Sequence, residues 1–273
     1  MKKIDSHHHL IQETGYVDGL LREMDRLNIE KSSLIGLGTL FEGLFVRGRL
    51  SGPVADNHAV ARVVRNHPDR FFGLGFVRLG KDDPALVDEL KDQGFAGLKF
   101  TVPTDRYSSP EFHPCYARAS ELGMPCLFHT GIIKLPRPLA GEGVSSFNMD
   151  CIHLEAVAQE FPGLQIIIAH LGVQNFLAAL TLIRMFLNIY ADISGSTPGW
   201  RASIGMEEWK RYLWFPDAHR KILFGTDVHW GEISAGIELQ ASILAAAGFD
   251  RDRQADVFYN NAASLYGFGK TPS

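Results

Sequence analysis

Cysteine is scarce, at three residues in 273, and Cys115, Cys126 and Cys151 are too scattered for a disulfide framework. Long apolar runs are missing, and the strand-like stretch 165–169 is far below membrane-spanning length. No stripe of Lys and Arg is present and the formal net charge is −4, which argues against nucleic acid or an anionic membrane as a main partner. No apolar h-region follows Met1-Lys2-Lys3-Ile4-Asp5, so no signal peptide is expected and a reducing cytoplasm is the default. A Gly-rich phosphate or dinucleotide loop is also absent after the first strand-like run, which disfavours a doubly wound open sheet.

What is present is an ordinary globular composition, 45% hydrophobic and 21% charged, with a regular beat. Short runs rich in branched and aromatic residues alternate with stretches of helical periodicity. Strands are expected at 3–6, 33–40, 71–77, 97–101, 125–129, 164–169, 188–193 and 221–224. Helices are expected at 16–27, 54–66, 84–92, 111–122, 149–160, 174–187, 206–212, 232–246 and 251–266. In the first helix Val17, Leu20, Leu21, Met24 and Leu27 line one face. Eight strand–helix units need a parallel sheet covered by helices, and favour a single (β/α)₈ TIM-barrel domain, α/β in class, over residues 1–273.

Polar residues gather where these strands end. Strand one runs into Asp5-Ser6-His7-His8-His9, strand five into His129-Thr130-Gly131, strand six into His170-Leu171-Gly172, and strand eight into Gly225-Thr226-Asp227. In a parallel barrel all of these ends meet at one mouth. His7 and His9 share a face of an extended segment, and His8 points the other way, toward barrel–helix packing or solvent. We read His7, His9 and His129 as neutral imidazole ligands and Asp227 as a carboxylate ligand of Zn²⁺ or a similar cation. Such a cation brings a bound water toward neutral pKa, and Asp227 can hold that water and accept its proton. His170 has three readings: ligand of a second metal, polariser of the scissile group, or proton shuttle. One metal with His170 as catalyst is preferred. Lys99, ending strand four, is read as a substrate-carboxylate partner, as a carbamate bridging two metals, or as a side chain reaching solvent.

The sequence resembles the amidohydrolase superfamily, in the branch called amidohydrolase 2. The matching segments are Ile4-Asp5-Ser6-His7-His8-His9, Gly94 through Lys99, Met124 through Gly131, Phe161-Pro162-Gly163-Leu164 with His170-Leu171-Gly172, Phe224 through Asp227, and Asn261 through Gly267. The resemblance implies the same metal ligands, a catalytic His170, and Zn²⁺ or Mn²⁺ as the cation. The branch's decarboxylases are commonly dimeric or larger, so a homodimer is a candidate assembly, and Trp214 and Phe215, read as exposed aromatics, are candidate interface residues. Its members include lactonases, decarboxylases of aromatic or unsaturated carboxylic acids, and a hydratase.

The expected activity is hydrolysis of a small, anionic ester, lactone or amide, with non-oxidative decarboxylation as the alternative and a non-catalytic binding barrel as the third reading. Arg47, Arg49, Lys134 and Arg137 are candidate anion-binding groups, and Trp230 a candidate stacking surface. Segments 131–143 and 196–205 are placed to shape the mouth.

Overall fold

A computed structural model describes residues 1–38, 54–135, 139 and 141–268. Its strands are Lys3–Asp5, Ile29–Ile35, Phe71–Val77, Gly97–Phe100, Cys126–Phe128, Ile166–Ile168, Ile189–Asp192 and Ile222–Leu223, here β1 to β8. They form one sheet in sequential order, and every adjacent pair is parallel. The ring is joined just beyond the last strand, where Ser6 N–H donates to Phe224 O (3.0 Å) and Thr226 N–H to His7 O (3.1 Å). The fold is a TIM barrel, with helices between the strands.

These helices are α1 (Tyr16–Leu27), α2 (Asn57–Asn66), α3 (Leu86–Asp92), α4 (His113–Glu121), α5 (Leu154–Glu160), α6 (Phe176–Met185), α7 (Met206–Tyr212), α8 (Ile233–Ala246), α9 (Arg251–Ala255) and α10 (Asn261–Leu265). α1 buries Leu20 and Met24 against the barrel and ends at Asn28, whose left-handed backbone returns its N–H to Asp25 O and Met24 O. The core holds the strands' apolar residues and the inward faces of the helices, including Phe71, Leu98, Phe128, Ile168 and Phe224. Among the described residues no helix is long and apolar enough to cross a membrane.

Several elements are shorter than expected, and three of the differences have identifiable reasons. β2 begins at Ile29, one residue after α1's cap, because Glu30 and Lys31 sit partly exposed at the start of the strand, where polar side chains are tolerated. The second helix begins at Asn57 rather than residue 54. Asp56 caps it by accepting Ala59 N–H at 2.8 Å, and Val54 instead bridges Ile11. The expected helix 251–266 is broken by a π-helical turn, Asp256–Asn260. There Val257 O accepts Phe224 N–H (3.0 Å) from the end of β8. Trp214 is exposed and Phe215 is buried.

Candidate metal centre

The mouth is assembled from strand ends with specific local geometry. A side chain on Gly225 would lie 2.8 Å from His7 Cβ, so glycine lets β8 close on β1 at the level of the first histidine. Asp227 (φ 51°) and His170 (φ 56°) both occupy the left-handed region, and His170 is followed by Leu171, Gly172 and Val173 with positive φ as well. Non-glycine residues seldom adopt this backbone, which concentrates at functional sites. The turn at β8 is fixed by Thr226 and Asp227 N–H groups converging on His7 O. The turn after β6 is fixed by His170 N–H donating to Asp192 Oδ1 at 2.9 Å.

His7, His9 and Asp227 come together with ligand atoms within 4.8 Å of one another. His9 Nε2 lies 3.4 Å and His7 Nε2 3.8 Å from Asp227 Oδ1, while His170 Nε2 lies 3.6 Å from Asp227 Oδ2. The Asp227 side chain is 21% exposed and the three histidine side chains no more than 8%, so the carboxylate is the group that meets the mouth. His129 stands beside them with its ring 5.1 Å from that of His170. Its backbone carbonyl is held by Tyr107 Oη–H at 2.8 Å, and its Nε2 is buried with no hydrogen-bond partner.

Burial drives every imidazole of the cluster toward the neutral form: His7 and His170 fall to about 4, and His9 and His129 well below the ordinary value. Burial raises Asp227 above the usual carboxylate range, against the pull of His170 and Lys99. Lys99 is 1% exposed rather than solvated. Its Nζ lies 3.2 Å from His7 Nε2, and burial lowers it to about 8. His8 does face barrel–helix packing, with Nδ1 3.1 Å from Thr226 Oγ1 and Nε2 2.9 Å from Tyr16 Oη on α1.

These residues fit a divalent cation. Neutral imidazoles and one carboxylate are the donor set that zinc-like ions take, and the buried His129 Nε2 has no hydrogen-bond partner, as suits a nitrogen reserved for a cation.

Of the other expected site residues, Arg47, Arg49 and Arg137 lie outside the described residues, and Lys134 is exposed. Trp230 is half-buried with its indole over Gly19 of α1, where a Cβ would meet the ring at 2.7 Å, and beside the His229 ring at 4.9 Å.

Sequence patterns did not point to Asp192, Ser194 or Arg201, all buried beside the cluster. Asp192 Oδ2 lies 2.8 Å from His7 Nδ1, and Ser194 Oγ 2.9 Å from His170 Nδ1. Arg201 donates to the carbonyls of Ile193, Gly195 and Ser196, while its Nε–H is left unpaired. Asp192 ends β7 in the structure, but within the expected strand 188–193 it lay one residue inside the end and so lacked the cue that marks His129 and His170.

An amidohydrolase sequence profile matches residues 4–268. No curated protein matches the chain at a significant level. Solved structures with the same fold include 2,6-dihydroxybenzoate decarboxylase from Rhizobium, at TM-score 0.66 and 18% identity, covering 99% of this chain and 100% of that one. Amidohydrolase 2 from Bifidobacterium longum subsp. infantis superposes at TM-score 0.61 with 19% identity, covering 98% and 99% of the two chains. A 5-carboxyvanillate decarboxylase from Novosphingobium aromaticivorans, solved with manganese, gives TM-score 0.62 and 14% identity, covering 97% and 96%.

Proposed function

The chain belongs to the amidohydrolase family, and from that premise we propose that it is a metal-dependent hydrolase of a small anionic ester, lactone or amide. The observation that carries this reading is the carboxylate of Asp227, open to the mouth, with one oxygen toward His9 and the other toward His170. His7, His9 and Asp227, whose ligand atoms gather within 4.8 Å, would hold the cation with His129 as a fourth ligand on the strength of its unpartnered Nε2, with zinc first and manganese second, the latter because the Novosphingobium relative was solved with it. Such an ion supplies Lewis acidity and brings water within reach of deprotonation near neutral pH. Asp227, the carboxylate open to the mouth with one oxygen toward His170, takes the proton of the attacking water. His170 is neutral, so its Nε2 can receive that proton across the 3.6 Å gap and return it to the leaving group. Lys99 sets a positive charge beside His7, which supports an anionic substrate. Burial of the histidines keeps bulk water from competing for their lone pairs.

Decarboxylation is the second reading, favoured by the names of two structural relatives, the Rhizobium and Novosphingobium decarboxylases. In that reaction Asp227 or His170 takes a proton from the substrate's hydroxyl and returns it to the carbon as that carbon loses carbon dioxide. The deciding assay uses metal-loaded protein against panels of lactones and aromatic carboxylic acids, with proton release and carbon dioxide followed in parallel. Proton release without carbon dioxide is the expected result. Carbon dioxide evolution from the acids, with the lactones untouched, would overturn hydrolysis in favour of the lyase.

A further inference from the structure

Asp192 lies at the end of β7, wholly buried, with each oxygen committed. Oδ1 accepts the backbone N–H groups of His170 and Ser194, each at 2.9 Å, and the Ser194 hydroxyl. Oδ2 faces His7 Nδ1 at 2.8 Å, and Ser194 Oγ lies farther off the same nitrogen at 3.1 Å. Proton placement follows from counting donors. A carboxylate oxygen and an unprotonated ring nitrogen at that separation would repel, so His7 carries its proton on Nδ1 and donates it to Asp192. The one hydroxyl proton of Ser194 is spent on Asp192 Oδ1, so Ser194 Oγ can only accept from His170 Nδ1, 2.9 Å away. His170 is therefore protonated on Nδ1 as well. Both rings present an unprotonated Nε2 to the side where Lys99 and Asp227 stand.

We propose that Asp192 is the positioning residue of the site, fixing His7 directly and His170 through Ser194 as Nδ1–H tautomers. One buried carboxylate thereby aims two lone pairs at the place a cation and a reacting proton would occupy. This inference rests on the metal-dependent reading above for its consequence, though the tautomers themselves do not. It also assigns His170 its direction: the ring enters the reaction as a proton acceptor and becomes a donor only after it has taken a proton.

The Asp192→Asn variant tests the count, because an amide has only one acceptor oxygen. Three donors converge on the Oδ1 position, so the amide oxygen must stay there and its NH₂ must face His7. His7 can meet that NH₂ only by moving its proton to Nε2, which removes the lone pair a metal needs. The measurement is long-range ¹H–¹⁵N correlation of the histidine rings in the full-length, metal-free chain, together with zinc affinity by chelator competition. Wild type is expected to show Nδ1–H for His7 and His170. Asp192→Asn should move His7 to Nε2–H and weaken zinc binding by about ten- to a hundredfold, the usual effect of losing a partner that orients a ligand. Ser194→Ala should keep the His7 tautomer and near wild-type zinc affinity while His170 loses its single tautomer.

An Nε2–H His7 in the wild type would overturn the proposal, as would an Asp192→Asn protein that keeps both the Nδ1–H tautomer and full zinc affinity. Should Asp192→Asn fail to fold, the wild-type and Ser194→Ala spectra decide alone. A wild type with the assigned tautomers that binds no zinc would sustain the proton placement and sink the metal-dependent function instead.

Discussion

His129 Nε2 is buried without a partner, and a nitrogen so placed costs about 1–3 kcal/mol unless something takes up its lone pair. A cation does so. His129→Ala is therefore expected to lose most bound metal and activity while the metal-free protein unfolds at no lower temperature than wild type; metal content by mass spectrometry and thermal melts check both halves, and full occupancy in the variant would remove His129 from the ligand set. Lys99 works in the opposite sense. Its ammonium beside His7 Nε2 repels a metal ion, and burial has lowered it to about 8. As pH rises through that value the amine becomes neutral and the repulsion disappears, so manganese affinity should climb between pH 7 and 9. Lys99→Met should bind manganese at pH 7 as tightly as wild type does at pH 9 and show no such climb, which titration calorimetry would reveal. A pH-independent wild type would contradict the assigned role. At this scale the histidines and Asp227 were legible because each sits directly at a strand end. Asp192 was not, because the apolar run 188–193 continues through Ile193 and makes the aspartate look like a strand interior.

Between elements, one hydrogen-bond chain ties α1, β1 and β8 together beneath the metal cluster. Tyr16 Oη–H donates to His9 O (3.2 Å) and lies 2.9 Å from His8 Nε2, His8 Nδ1 lies 3.1 Å from Thr226 Oγ1, and Thr226 Oγ1–H donates to Asp5 Oδ2 (2.6 Å). His8 is held neutral by burial, at about 3, consistent with one donor and one acceptor nitrogen rather than two donors. This chain explains why the middle histidine of three is needed though it faces away from the mouth. Tyr16→Phe leaves His8 Nε2 buried and unpaired, at a cost of about 1–3 kcal/mol in urea unfolding. A change within about 0.5 kcal/mol, the range of ordinary surface substitutions, would show that the chain adds nothing to stability. The alternation of periods exposed α1 and β3 to the residue, since both have clean apolar faces. It could not expose the π-helical turn at Asp256–Asn260, because the cause is a distant strand: Phe224 N–H needs an acceptor and Val257 O provides it. Likewise α2's start was hidden by Val54, an apolar residue that pairs with Ile11 in a bridge.

Over the whole molecule, the polar machinery sits at one end of a barrel whose body is apolar, from Ile4 and Leu34 through Leu98, Ile167 and Leu223. The architecture was readable from the beat of eight strand-like runs, because a sequential parallel sheet imposes that beat locally. The ring's junction was less so, since the structure ends β1 at Asp5 and β8 at Leu223, and the ring is joined through Ser6, His7, Phe224 and Thr226 just beyond them. This separation of core and site has a thermodynamic consequence. The barrel's stability comes from burial that needs no metal, so the metal-free chain should keep its fold. A ligand that binds only the folded state adds about 2.7 kcal/mol when its free concentration is a hundred times the dissociation constant. For a chain of this size that corresponds to about 5–10 °C in melting temperature. Chelation followed by dialysis is therefore expected to lower the midpoint by that amount with the far-ultraviolet circular dichroism unchanged at 25 °C, and added zinc to restore it. Loss of the helical signal on chelation would mean instead that the metal holds the strand ends of β1, β5 and β8 together, and that the junction between Ser6 and Phe224 cannot close the ring unaided.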